Sequence, residues 1–96
     1  MYNVSYSKAA ERYFKKIKDK HLLAVFKDAI DKLKLDPYIG TAKIGDLQGI
    51  YGYDVKYSNT SYELAYRIYE ENTNLIVVVL AGTRENFYHE LKRLIK

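Results

Sequence analysis

Apolar and polar positions change their period along this chain, and the changes divide it into elements. Asn3 to Tyr6 alternates apolar with polar, as a short strand does. Ser7 then offers a helix N-cap, and Ala9, Ala10, Tyr13, Phe14 and Ile17 recur at helical spacing. Lys18 to Lys20 interrupts that stripe. Leu22, Phe26, Ala29, Ile30 and Leu33 resume it until Asp36-Pro37, where the proline ring drives the preceding residue out of helix. The pattern predicts two amphipathic helices in a hairpin, whose apolar stripes need a surface to cover.

Tyr38 to Gly49 has no period and is punctuated by Gly40, Gly45 and Gly49, so it reads as loop. From Tyr53 onward the period is two. Tyr53, Val55 and Tyr57 alternate with Asp54 and Lys56, Ser58-Asn59-Thr60-Ser61 reads as a four-residue hairpin loop, and Tyr62, Leu64, Tyr66 and Ile68 alternate beyond it. Such a loop sets Tyr57 against Tyr62, Lys56 against Glu63, Val55 against Leu64 and Asp54 against Ala65. One face of the pair is then apolar, and the other exposes Asp54, Lys56, Glu63 and Arg67. Asn72-Thr73-Asn74 is the next turn. Leu75 to Ala81 is a β-branched run without alternation, expected to be the central strand and covered on both faces. Gly82-Thr83 ends it, and Phe87, Leu91, Leu94 and Ile95 return to helical spacing, which puts Arg84 and Tyr88 where the strand leaves the core. The expected order is β-α-α-β-β-β-α, class α+β.

At 96 residues, the chain is long enough for one domain over 1–96 and too short for two. It has no cysteine, which removes disulfides, thiolate metal sites and a cysteine nucleophile. No apolar run approaches a bilayer span, and Met1-Tyr2-Asn3-Val4 lacks a signal pattern, so a soluble cytoplasmic protein is expected. The net charge of +4 is concentrated: residues 8 to 20 hold six cations (Lys8, Arg12, Lys15, Lys16, Lys18, Lys20) against Glu11 and Asp19. That segment suits a polyanion or an acidic protein partner, and equally a face that keeps a small domain soluble. Seven of the eleven tyrosines lie between Tyr51 and Tyr88, where they either stack on bases or pack on strands.

No phosphate-binding glycine loop, dinucleotide fingerprint or Gly-x-Ser-x-Gly elbow is present. His21 and His89 have no carboxylate at a metal-binding spacing, so neither a metal nor a cofactor is expected. What remains is acid–base and electrostatic chemistry by Lys, Arg, Tyr, His and carboxylates. Those groups suit metal-free RNA cleavage, in which the ribose 2′-OH attacks the adjacent phosphate. The reaction needs a base, cations for the phosphorane-like charge and an acid for the leaving oxygen. Lys56 and Arg67 on the polar sheet face, with Arg84 and Tyr88 from the strand–helix junction, could converge on one phosphate.

Asp46-Leu47-Gln48-Gly49, Tyr53-Asp54-Val55-Lys56, Tyr62-Glu63-Leu64-Ala65-Tyr66-Arg67 and the closing Leu80-Ala81-Gly82-Thr83-Arg84-Glu85-Asn86-Phe87-Tyr88 stand in an order that resembles the RelE/ParE superfamily of bacterial type II toxins. The RelE-like mRNA interferase branch looks nearest. The resemblance implies an antiparallel β-sheet packed on an N-terminal helical hairpin, with a C-terminal helix. It implies a toxin that cuts translated mRNA on the ribosome and is neutralised by a cognate antitoxin. Antitoxin or ribosomal RNA is expected on the polar sheet face and the basic first helix.

By that resemblance Lys56, Arg84 and Tyr88 are the catalytic residues, with Arg67 a fourth candidate. Lys43, Lys56, Arg67, Lys92 and Arg93 are candidate RNA-binding cations. Asp54 and Glu63 depart from it, standing where a lysine and an arginine are common. Glu63, Asp46 or His89 is then the candidate general base, with Asp54 a further carboxylate. The departures keep open a ParE-like toxin that acts on DNA gyrase, or a relic that only binds antitoxin. A basic adaptor domain unrelated to toxins is the remaining alternative.

Overall fold

The structure, a computed structural model, describes residues 1–95. Strand β1 (Asn3–Tyr6) leads into helices α1 (Lys8–Lys16) and α2 (Lys20–Leu35). Strands β2 (Thr41–Ala42), β3 (Tyr51–Tyr57), β4 (Thr60–Tyr69) and β5 (Leu75–Thr83) follow, and α3 (Phe87–Leu94) closes the chain. Single 3-10 turns occupy Pro37–Ile39 and Gly45–Leu47. The expected order is present, with β2 and both turns added inside the stretch that has no period.

Local chemistry fixes the helical hairpin. Ser7 Oγ accepts from the Ala10 amide at 3.0 Å and donates to the Val79 carbonyl at 2.5 Å, so one hydroxyl caps α1 and ties it to β5. Asp19 caps α2 through the amides of His21 and Leu22, and Tyr57 donates to its other oxygen at 3.0 Å. That tyrosine bond, ahead of the backbone bonds, holds the Asp19 carboxyl below its ordinary pKa.

The sheet order is β1-β5-β4-β3-β2. Every neighbouring pair is antiparallel except β1 with β5, which is parallel, so the sheet is mixed and not wholly antiparallel. The middle strand is β4, with β5 beside it. The β3–β4 register also corrects the expected one. Ser58 and Asn59, at φ 50° and 63°, form a two-residue turn with both residues left-handed, the twist that suits a tight hairpin. Tyr57 therefore pairs with Thr60, Lys56 with Ser61, Val55 with Tyr62 and Asp54 with Glu63. The shift is two residues, so every side chain keeps its expected face while its opposite number changes.

Alternate residues of β4 divide between two apolar clusters. Leu64 and Tyr66 join Phe26, Ile30 and Leu33 of α2, with Val55, Ile76 and Val78. Ala65 joins Leu47, Ile50 and Leu80, with Phe87 and Leu91 of α3. A bulge in the β4–β5 pairing passes over Val79, and both Val79 and Leu80 reach the second cluster. This explains why β5 shows no alternation in sequence while being packed on both faces.

Most tyrosines belong to the architecture. Tyr13, Phe14, Phe26 and Tyr62 meet edge to face. Tyr2 and Tyr38 both donate to Glu70, at 2.5 and 2.6 Å, which joins the N-terminus and the 3-10 turn after α2 to the end of β4. The hydrogen bond to Glu70 is the main reason Tyr38 is pushed up to about 12. Tyr66, pushed up to about 12 chiefly by burial, donates to the Pro37 carbonyl.

Candidate functional site

On the α3 side of the sheet, one carboxylate collects the polar groups that the sequence scatters. Glu63 on β4 is 1% exposed, the one buried charged side chain among the described residues. Burial of a lone carboxylate costs several kcal/mol, so it needs partners. Tyr88, on the first turn of α3, donates to Glu63 Oε2 at 2.8 Å and lies 3.1 Å from Oε1. Lys43 Nζ lies 3.4 Å from Oε2, and Arg84 Nε 3.7 Å from Oε1. Lys43 also donates to the Tyr88 hydroxyl at 2.6 Å. Arg84, 49% exposed, reaches past Glu63 to place NH1 3.7 Å from Asp54. Burial works against the Lys43 charge, but the Tyr88 hydrogen bond and the Glu63 carboxylate outweigh it and hold its pKa above the ordinary lysine value.

The backbone explains each arrival. Asp54 and Glu63 are directly opposite across β3 and β4, an unfavourable like-charge pair unless a cation bridges it. Arg84 is that cation, anchored just past β5 by the hydrogen bond that its backbone N–H donates to the Ser61 carbonyl at 3.0 Å. Asn86, left-handed at φ 59°, then turns the chain into α3, which brings Tyr88 back over the sheet. Gly52, opposite Ala65, leaves the space that Glu63 and Lys43 fill. A Cβ at Gly52 would overlap Glu63 Oε2 and stand 2.7 Å from Lys43 Cε. The sequence carried a signal for this, since a glycine inside an alternating strand marks a close approach. Starting β3 at Tyr53 passes over it.

Both overlapping groups end flexible side chains, so Gly52→Ala tests how firmly they are held. If the bonds to Tyr88 and Glu63 fix Lys43, the substitution should cost about 1–3 kcal/mol. Urea unfolding measures this, and an unchanged midpoint would mean that the lysine leaves freely.

Beside the cluster lies a shallow hollow of about 270 Å³, lined by Lys43, Gly52, Tyr53, Asp54 and Arg84 with Ile39 to Thr41. A larger concavity, about 1020 Å³, lies between β1 and the helical hairpin and is lined mainly by apolar side chains such as Val4, Phe14 and Phe26. It holds none of the clustered polar groups, so chemistry belongs with the smaller one. Among the described residues no group of His, Asp and Glu is arranged to hold a metal ion.

A family model of ParE-like toxins of type II bacterial toxin–antitoxin systems matches residues 4–92. The chain belongs to that family. In structure the toxin is similar to the RelBE2 toxin–antitoxin complex of Mycobacterium tuberculosis, with 26% identity, a TM-score of 0.66, and coverage of 86% of this chain and 98% of that one. It is also similar to the intact RelBE complex of E. coli, at 17% identity and a TM-score of 0.67, covering 85% and 95%. No curated protein matches it. The fold is RelE-like and the toxin lies within the RelE/ParE superfamily. No helix among the described residues is long and apolar enough to cross a membrane.

Of the residues the sequence singles out, the structure brings Arg84, Tyr88, Glu63, Asp54 and Lys43 together. It separates the others. Lys56 shares the face of Asp54 but sits exposed toward the hairpin turn, opposite Ser61. Arg67 lies beyond Ala65 on the same face of β4, with its guanidinium against Gly49. Asp46 pairs with Lys92 at 3.7 Å, and Arg93 with Glu90 at 2.9 Å. His89 is exposed on α3, next in sequence to Tyr88 but outside the cluster. Two expectations about the polar face are thereby corrected: Glu63 is buried, and Arg67 is partly buried.

Proposed function

We propose that this toxin is a ribosome-dependent mRNA endoribonuclease that cleaves by attack of the ribose 2′-OH on the adjacent phosphate. The observation that supports it is the hydrogen bond from Tyr88 to Glu63 beside a half-exposed Arg84 at the edge of the hollow. In this mechanism the Tyr88 oxygen takes the 2′ proton while its own proton passes to Glu63. The O2′–P bond forms, the Arg84 guanidinium stabilises the charge that builds on the phosphorane oxygens, and the P–O5′ bond breaks. The 5′ oxygen takes a proton from solvent on the open side, leaving a 2′,3′-cyclic phosphate and a 5′-OH. Lys56, Arg67, Lys92 and Arg93 are then RNA-contacting cations outside the reacting centre. A cognate antitoxin is the neutralising partner, and the site of action is cytoplasmic.

One observation favours a second reading. Arg84 is engaged by both Asp54 and Glu63, and a phosphate must compete with two carboxylates for it. A ParE-like toxin that acts on DNA gyrase without cutting RNA would not need it free. The 5′ ends of cellular mRNA, mapped minutes after induction of wild type and Tyr88→Phe, separate the two. The nuclease reading expects new ends clustered inside translated codons, reduced about 100-fold by the substitution, the scale of a lost proton-transfer group. Intact messages with arrested growth and damaged DNA would establish the gyrase reading instead.

A further inference from the structure

We infer that Lys43 is a positioning residue for Tyr88: its ammonium, lodged over the side-chain-free Gly52, fixes the phenol oxygen against Glu63. This deepens the ribonuclease reading for its catalytic consequence, while the geometry stands without it.

The direction of the hydrogen bonds carries the inference. An ammonium only donates, and a carboxylate only accepts. With Lys43 Nζ 2.6 Å from the Tyr88 oxygen, that oxygen must accept from the lysine. The phenol proton is thereby committed to Glu63, 2.8 Å away. A tyrosine hydroxyl free of Lys43 could rotate its proton toward solvent. Lys43 also stands 4.9 Å from the centre of the Tyr88 ring, so the ring is held as well as its oxygen. As the Tyr88 proton moves to Glu63 and the 2′ proton arrives, the adjacent ammonium stabilises the negative charge that develops on the phenol oxygen during the transfer.

Local structure is built to deliver this lysine. Lys43 follows β2 directly, and its amide donates to the Ile50 carbonyl at 2.9 Å, so the strand ladder continues through it. Thr41 pairs with Gly52, and Lys43, two residues further on, shares that face. Its side chain is only 21% exposed, which is not how a lysine serves solubility. A side chain at position 52 would occupy the same space, because its Cβ would stand 2.7 Å from Lys43 Cε and 3.0 Å from Nζ.

The test pairs a structural readout with a chemical one. Toxin labelled with ¹³C at the tyrosine ζ carbons, with Tyr88 assigned from Tyr88→Phe, is compared as wild type, Lys43→Met and Lys43→Arg. Single-turnover mRNA cleavage on purified ribosomes is measured for the same proteins. Lys43→Met should shift the Tyr88 resonance and slow cleavage by roughly 10- to 100-fold, the worth of one charge-assisted hydrogen bond. The loss should fall on the rate and not on the concentration of ribosomes giving half-maximal cleavage. Lys43→Arg, which keeps a charged donor, should recover most of both signals.

A Tyr88 resonance unmoved by Lys43→Met would overturn the inference. So would cleavage at the wild-type rate, or no recovery by arginine. If wild type cuts no RNA but the Tyr88 resonance still follows Lys43, the ribonuclease reading fails and the positioning stands.

Discussion

Glu63→Ala should be the most destabilising polar substitution in this toxin, at about 3–5 kcal/mol, the cost of leaving a buried ionic partner uncompensated. Two opposing effects set the size. Removing the carboxylate ends its own desolvation, and Arg84, half exposed, can turn into water at little cost. Lys43 cannot follow so easily, because it is four-fifths covered and still bonded to a Tyr88 hydroxyl that has lost its acceptor. Loss of like-charge repulsion with Asp54 offsets only part of this, since Asp54 is exposed. The unpaired lysine and phenol therefore decide the sign. For a domain of this size the melting temperature should fall by on the order of 20 °C. Glu63→Gln provides the control, because it keeps the shape and one acceptor while removing the charge. It should cost about 1–2 kcal/mol and leave the protein folded, so that cleavage can be measured. Equal stability of Glu63→Ala and wild type in urea unfolding would show that the carboxylate is not the centre of the cluster.

The sequence made the periodic parts of this fold legible and left the long-range ones hidden. Ser7, Asp36-Pro37 and the stripe from Leu22 to Leu33 mark the helices because caps, breakers and period are local. The two faces of β3 and β4 were equally readable, since alternation survives any even shift of register. The turn itself was not. Ser58-Asn59 lacks the Asn-Gly or Asp-Gly signature of a two-residue turn, so a four-residue loop fitted the alternation as well. That difference decides the site, because it sets Asp54 and not Lys56 opposite Glu63. The parallel partner of β1 left no trace either, for its pairing with β5 spans most of the chain. Glu63 looked like a solvated strand residue because the groups that bury it arrive from three other segments. Lys43 comes from beyond β2, Arg84 from the end of β5 and Tyr88 from α3. Arg84 and Tyr88 were legible through resemblance and Lys43 only as a generic cation, whereas Gly52 was visible but unread.

Arg84→Ala should lower mRNA cleavage about 1000-fold while changing stability by less than about 1 kcal/mol, and this separation is what distinguishes a transition-state cation from a structural one. Both ion pairs of Arg84 are 3.7 Å long, and the side chain is half in water, so little stability rests on them. Its loss does leave Asp54 facing Glu63, yet Asp54 can turn outward. The catalytic deficit has no such relief. A phosphorane gains negative charge beside a hollow whose lining includes the Asp54 carboxylate, and without Arg84 the one cation left in that lining is Lys43, already committed to Tyr88 and Glu63. Arg84→Lys restores charge but not the planar fork that meets two oxygens at once, so recovery should be partial, to within about 10- to 100-fold of wild type. Mapped 5′ ends and single-turnover rates on ribosomes read the deficit, and thermal unfolding reads the stability. Undiminished cutting by a folded Arg84→Ala protein would take the phosphate away from Arg84. A protein that loses cutting and several kcal/mol together would make the arginine a clamp between two carboxylates, with the chemistry assigned elsewhere.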